Sequence, residues 1–587
     1  MLSRAKEAAG GDAWDNVRAI HLRAVFAADG LQGPSESWED IITGAYVDRF
    51  QLGPASGAEG YDGKAAWSQD SSKQVTRQDG GETLEAAVNE AYRRSLSYWF
   101  PQRRAGRVEV ADEVEEGGRR YIVLRVTPAG GRPFDIWVDG QTYYFGRVVE
   151  KGGLETRTTF FSDYRAVDGI KMPFRQRSTN GDAKYDQSLS VESVEVNPQN
   201  DASLFRIPEP PPRDFSIAGE KTSVNLPFNL LNNHIYVDVK LNGQGPFRFL
   251  FDTGGANVIV PRLVEKLHLT AKGALEGRGA GEKSEDVALT TIDKLELGDI
   301  SISNQIFFVF PFEGLEGVEG VAIDGLIGFE VFKRFTVQVD YERSRLTFVV
   351  PEAFEHKGEG TSVPFTFNER IPEVEGEIDG LTGKFTIDTG SRASLELHTP
   401  FVEKHVLRTK YEPKFEAMSG WGVGGSVRST IVRAKQLKLG DVVVPAPVTG
   451  LSLQKKGSST DTYVAGNVGA GVLKRFNVTF DYARQRIIFE KNKNYGLPDV
   501  YDRSGMWINL SGDHFEVLDV VAGGPADQAG IRAGDRILAM DGKSTAEWTL
   551  PGARLKLRSD PPGTQVQLKV GTGQETRDVL LTLRDLI

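Results

Sequence analysis

A repeat in the middle of the chain constrains its fold more than any other feature. "DGLIGFEVFKRFTVQVDYERSRLTF" at 324–348 recurs as "AGNVGAGVLKRFNVTFDYARQRIIF" at 465–489. Both copies fit G-x-[IV]-G followed by K-R-F-x-V-x-x-D-Y-x-R-x-R. Upstream, "IDKLELGDISIS" at 292–303 matches "RAKQLKLGDVVVP" at 433–445. The segments alternate apolar with polar residues and are rich in β-branched and aromatic types, a strand signature. Two copies of one strand-rich unit, at 220–355 and 356–495, predict two lobes related by a pseudo-two-fold axis.

Each copy also carries an acidic turn. "FLFDTGGAN" at 249–257 runs three apolar residues into Asp252, and "KFTIDTGSRAS" at 384–394 places Asp388 at the end of a second strand. A carboxylate at the end of an apolar strand is costly unless it is paired or neutralised. Aspartate is a common turn former, so one such triplet carries little information. Two at equivalent places in a duplicated unit carry much more, because the pair can share one proton across the axis. Carboxylates ~3 Å apart do not both ionise. The charged member then serves as general base toward a bridging water, and the neutral member as acid toward a carbonyl oxygen.

The set Asp252-Thr253-Gly254, Asp388-Thr389-Gly390, Leu326-Ile327-Gly328 and Val468-Gly469 resembles the aspartic peptidases. With short lobes it looks more like a fused retropepsin dimer than a pepsin. The resemblance implies a two-lobed acid-protease β fold over 220–495 and peptide-bond hydrolysis by Asp252 and Asp388. It gives Thr253 and Thr389 a bond across the lobe interface. Gly254 and Gly390 permit close approach of the backbone, and Ser391 supports the second turn. Glycine-rich hairpins at 277–287, with Gly279 and Gly281, and at 419–429, with Trp421 and Gly422, are the expected flaps. Two positions depart from the family pattern. Gly255 stands where Ser, Thr or Ala is usual, and Asn467 stands where an apolar residue is usual.

The chain has 587 residues, enough for about four domains. Its 39% hydrophobic and 26% charged content is that of folded protein. A net charge of −11 without a basic block argues against nucleic acid as a partner. The absence of cysteine removes thiol nucleophiles, thiolate metal sites and disulfides. The scattered histidines offer no metal spacing, so neither metal nor cofactor is expected. "GWGVGG" at 420–425 lacks the following helix of a dinucleotide site. The N-terminus has no apolar export core, leaving a cytosolic protein or a mature form with its leader removed.

Residues 1–207 read as a long antiparallel meander interrupted by helical spacing at 83–98. The run "WVDGQTYYFGRVVE", "TRTTFFSDYRAVDGIKMPFRQR", "VESVEVNPQNDASLFRIP" resembles the LolA-like lipoprotein-carrier superfamily. That implies a half-open barrel and an apolar or lipid ligand. "IPEPPPRDF" begins a proline-rich linker over 208–219, since consecutive prolines favour extended PPII. "GGPADQAGIRAGDRILAMDGK" at 523–543 resembles PDZ domains and assigns 496–587 to one. Gly505, Met506, Trp507 and Ile508 are the expected peptide-binding loop and edge, with "TLPGARLKL" at 549–557 as the groove helix, though Pro551 and Gly552 fit a helix badly. The expectation is a mainly β, exported (periplasmic or secreted) aspartic endopeptidase acting on protein or peptide substrates, with C-termini read by the PDZ domain. The alternative is a non-enzymatic peptide- or lipid-binding protein on an inactive peptidase scaffold.

Overall fold

The computed structural model describes residues 1–199, 201–312 and 314–587. The chain is mainly β. Residues 1–207 build a 13-stranded antiparallel sheet in which the first strand, Ala19–Ala28, pairs with the last, Gln187–Val196. Helix Gly81–Arg94 is the helical insert. Its buried face, Ala87, Val88, Ala91 and Tyr92, packs on the sheet, with Tyr92 against Leu124, Val126 and Phe134. Arg94 reaches Asp48 at 2.7 Å and Glu90 at 2.7 Å, so the helix is held by charge as well as packing.

Only the first part of 208–219 is a bare connector. Phe215–Ile217 already pairs with Ile300–Val309, and the Arg334 guanidinium holds Asp214 at 2.9 Å.

The repeat explains the architecture of 220–495. Each copy of the K-R-F-x-V-x-x-D-Y frame forms a hairpin, Thr336–Asp340 with Arg345–Val349 and Phe476–Asp481 with Arg486–Lys491. The two hairpins join antiparallel across the axis, Val337 opposite Phe480 and Asp340 opposite Asn477. Ser223–Pro227 and Thr361–Pro364 complete a six-stranded sheet to which each lobe gives three strands. Phe332 stacks on Tyr482 at 5.3 Å and meets Phe480 edge-on at 5.2 Å, so one apolar core runs through both lobes.

Residues 506–582 form the PDZ sheet, with Met506–Ser511 at its edge beside helix Leu550–Ser559. Pro551 and Gly552 do no harm there. Proline sits in the first turn, where its missing amide has no partner to lose, and Thr549 accepts the Gly552 amide at 3.2 Å as N-cap. Leu550, Ala553 and Leu557 form the buried face.

Candidate active site

Both acidic turns are produced by the same local geometry. Strand Gln244–Phe251 runs parallel to Gly325–Ile327, and the Asp252 amide donates to the Ile327 carbonyl at 3.0 Å. Strand Leu381–Ile387 runs parallel to Gly466–Val468, and the Asp388 amide donates to the Val468 carbonyl at 3.0 Å. The apolar-apolar-glycine segments therefore pin each aspartate at a strand end.

Four hydrogen bonds tie the turns together. The Thr253 amide donates to Thr389 Oγ1 at 3.0 Å, and the Thr389 amide to Thr253 Oγ1 at 3.2 Å. Each hydroxyl then donates to the opposite strand, Thr253 to the Ile387 carbonyl at 2.8 Å and Thr389 to the Phe251 carbonyl at 3.0 Å. Both threonines are fully buried. The carboxyl groups converge on Gly390, where an added Cβ would lie 2.3 Å from Asp252 Oδ2 and 3.2 Å from Asp388 Oδ1. Only glycine leaves this space open. Asp252 Oδ1 accepts the Gly254 and Gly255 amides at 3.0 and 3.1 Å, and Asp388 Oδ1 accepts the Gly390 amide at 2.8 Å. Burial, then the charge of Asp388, pushes Asp252 above the usual carboxylate range. Burial raises Asp388 as well, against the pull of its hydrogen-bond donors.

The two departures have physical reasons. A Cβ at Gly255 would strike Leu326 Cδ2 at 2.4 Å and Asp252 Cγ at 2.9 Å, so glycine goes with Leu326 in this lobe. In the second lobe Asn467 replaces Leu326, and its Nδ2 donates to Asp388 Oδ2 at 2.8 Å. Thr386 Oγ1 holds the Asn467 Oδ1 at 2.6 Å. Opposite Asn467 lies Glu396, buried and accepting from the Ser429 hydroxyl. Burial pushes Glu396 up to about 7, partly offset by that donor. The sequence reading singled out Asn467 but missed its bond to Asp388, and missed Glu396. It also missed Tyr482, the tyrosine of the second D-Y frame, whose buried hydroxyl donates to the Thr253 carbonyl at 2.8 Å.

The expected flap hairpins exist and meet tip to tip. The Gly281 amide donates to the Val423 carbonyl at 2.8 Å, and the Lys283 amide to the Gly424 carbonyl at 3.2 Å. Gly279 lies against Val423, and Gly422 against Ala280. Trp421 is half-buried in the second hairpin opposite Ser426. Segment 455–461 packs on the first tip: the Ser458 amide donates to the Gly279 carbonyl at 3.1 Å and the Lys455 amide to Glu282 Oε1 at 2.8 Å. The first sheet clasps the same hairpin through Asn180 on Glu276 at 3.0 Å and Glu155 on Arg278 at 2.7 Å. Ser391 sits behind the second turn, its hydroxyl beside Gly469.

The PDZ residues require a correction. Gly505, Met506, Trp507 and Ile508 do not form an open groove, because the chain itself occupies it. Asp502 Oδ1 takes the Ser504 and Gly505 amides at 2.9 and 3.0 Å, and Ser504 Oγ takes the Met506 amide at 3.2 Å. Helix Leu315–Glu319 of the first lobe lies against the edge strand and the start of helix Leu550–Ser559, with Gly317 at the Leu510 carbonyl and Gly320 on Leu550. Arg554 clamps the contact by donating to the Val318 and Ile508 carbonyls at 2.6 Å each. The same helix ends in Glu319, which Arg392, close behind the second D-T-G turn, holds at 2.6 Å. Arg392 in turn lies over the Trp507 ring at 5.0 Å.

Two family models match parts of this chain. Residues 237–331 match the family model described as aspartyl protease, and 516–570 match that described as PDZ domain. The first match includes Asp252 and ends before Asp388, so the second lobe rests on the repeat and the geometry. No curated protein matches the sequence. Similar solved structures include a putative outer membrane lipoprotein-sorting protein domain from Vibrio parahaemolyticus (14% identity, 35% of this chain and 94% of that one, TM-score 0.26). A LolA superfamily protein from Nitrosomonas europaea aligns at 12% identity over 34% of this chain and 97% of that one, TM-score 0.26. The aspartic proteinase from Irpex lacteus aligns at 14% identity over 47% and 99%, TM-score 0.33. The chain thus contains a segment that matches aspartyl proteases, followed by one that matches PDZ domains.

Proposed function

We propose that the protein is an aspartic endopeptidase that cleaves extended polypeptide between its two lobes. The observation that carries this reading is the reciprocal Thr253–Thr389 bonding, which brings Asp252 and Asp388 to one point at Gly390. In this reading a water lies between the carboxyl groups, one ionised and one protonated. The anion takes a proton from the water as its oxygen bonds to the scissile carbonyl carbon. The acid gives its proton to the carbonyl oxygen, producing a tetrahedral diol. Collapse breaks the C–N bond: the former base passes its proton to nitrogen, and one diol hydroxyl returns a proton to the former acid, which restores the pair. The flap tips, joined by backbone hydrogen bonds, must part to admit substrate and close again to exclude water.

In the same proposal the first domain, which resembles lipoprotein carriers, takes an apolar or lipid ligand, and the protein acts in the periplasm or outside the cell. Apolar side chains of its sheet are already covered in part by helices Leu2–Ala8 and Gly81–Arg94. The test is cleavage of unfolded casein from pH 3 to 8 by the wild type, Asp252→Asn and Asp388→Asn. The expected outcome is cleavage by the wild type and a loss of at least 10³-fold in either variant, each with unchanged circular dichroism. No wild-type cleavage at any pH, or equal cleavage by all three, overturns the reading and favours a peptide-holding scaffold.

A further inference from the structure

The duplicated lobes are not equivalent at the acidic pair. In the first lobe the wall beside Asp252 is Leu250 and Leu326, paired in register, with Val258 opposite Leu326. In the second lobe the matching positions are Thr386, Asn467 and Glu396. Three apolar residues of the first lobe thus correspond in register to three polar ones of the second.

The polar side makes a directed contact. Asn467 Nδ2 donates to Asp388 Oδ2, and the amide is prevented from turning by Thr386, whose hydroxyl donates to Asn467 Oδ1. Asp388 thus has a donor on each oxygen, Gly390 on Oδ1 and Asn467 on Oδ2. Both donors to Asp252 go to Oδ1, while its Oδ2 faces Gly390 and lies near the Leu326 methyl. An anion spreads its charge over both oxygens and is stabilised most where both are bonded. A neutral acid needs one oxygen left for its proton.

We propose that Asn467 is a positioning residue that breaks the symmetry of the pair: it holds Asp388 as the anion that takes the proton from water and leaves the shared proton on Asp252 Oδ2. The inference rests on the endopeptidase reading for its catalytic meaning but not for the location of the proton. Other ionisable groups facing Asp388 are Asp252 across the axis, His234 from strand His234–Leu241, and Tyr341 and Tyr482 from the D-Y turns. Glu396 faces Asn467 from strand Leu395–Leu397 and, raised by burial, is neutral through the acid range. Of these, His234 adds to the same asymmetry by favouring the Asp388 anion through charge, and Asn467 supplies the direct side-chain hydrogen bond to it.

The sign follows. Removing a donor to the carboxylate makes its ionisation harder, so the acid limb of the pH profile moves up. Asn467→Leu, which copies the first lobe, should shift that limb of kcat/KM upward by about one pH unit and lower kcat about tenfold on it. KM should change by less than about threefold, because a wall residue that only shapes a pocket would act on KM instead. Asn467→Asp is isosteric, guards against misfolding of the leucine variant, and should move the limb the same way by adding a like charge. An unmoved limb in both variants overturns the proposal. Carbon-13 titration of the aspartate carboxyls in the full chain, assigned with Asp252→Asn and Asp388→Asn, supplies a readout independent of turnover. The wild type should show Asp388 ionised while Asp252 keeps its proton, and Asn467→Leu should narrow or reverse that order. A wild-type proton on Asp388 overturns the proposal even in an active enzyme. An inactive wild type with the expected titration overturns only the endopeptidase reading.

Discussion

At the residue scale, the site depends on groups that cannot be replaced by shape alone. Thr253 Oγ1 both accepts the Thr389 amide and donates to the Ile387 carbonyl, all out of water. Thr253→Val keeps the volume and leaves two buried backbone groups unpaired, at about 1–3 kcal/mol each. Native-state hydrogen exchange at the Thr389 amide should register the loss. An unchanged opening free energy would mean that the cross-bond contributes nothing. The D-T-G triplets were legible in sequence because the chemistry demands those residue types in a duplicated frame. The bond from Asn467 to Asp388 was not. A polar residue in an apolar pattern reads as a flaw until the register shows that it lies beside a carboxylate. Tyr341 and Tyr482 share one motif, and no sequence rule says that Tyr482 caps the Thr253 carbonyl.

At the level of elements, the hairpins were legible from glycine density, and their meeting was not. Tip-to-tip closure depends on the pseudo-two-fold arrangement of two lobes, which no local pattern encodes. The close approach is backbone on backbone. A Cβ at Gly281 would fall 2.1 Å from the Gly424 carbonyl carbon and 2.3 Å from the Gly425 nitrogen, with no flexible side chain to give way. Gly281→Ala should therefore separate the tips. Amide exchange at Gly281 and Lys283, the two donors to the opposite tip, should rise about tenfold or more, and kcat/KM should fall. Exchange at the wild-type rate would show that the tips do not bind each other in solution. The groove helix gives the contrary lesson. Pro551 and Gly552 look disruptive as composition and are ordinary as positions, one in the first turn and one receiving a cap.

For the whole molecule, domain order was legible and domain docking was not. The PDZ pattern predicts an open edge, whereas Arg554, Asp502 and helix Leu315–Glu319 fill it from within. An internal occupant lowers apparent affinity in proportion to the time it sits in place. Arg554→Ala should release it, so a C-terminal peptide binds at least tenfold more tightly than to the wild type in a polarisation titration. Equal affinities would mean that the occupant is no barrier. The clasp also depends on acidity. Burial alone would raise Glu319, but Arg392 and His234 hold it well below the usual carboxylate range. Its contribution is complete above about pH 4.3 and is lost as the pH falls below that value. The six-stranded sheet has a different consequence. Because three strands from each half are stitched side by side within one covalent chain, the two aspartates stay partnered at any dilution, and no association constant governs how much of the protein holds a complete pair.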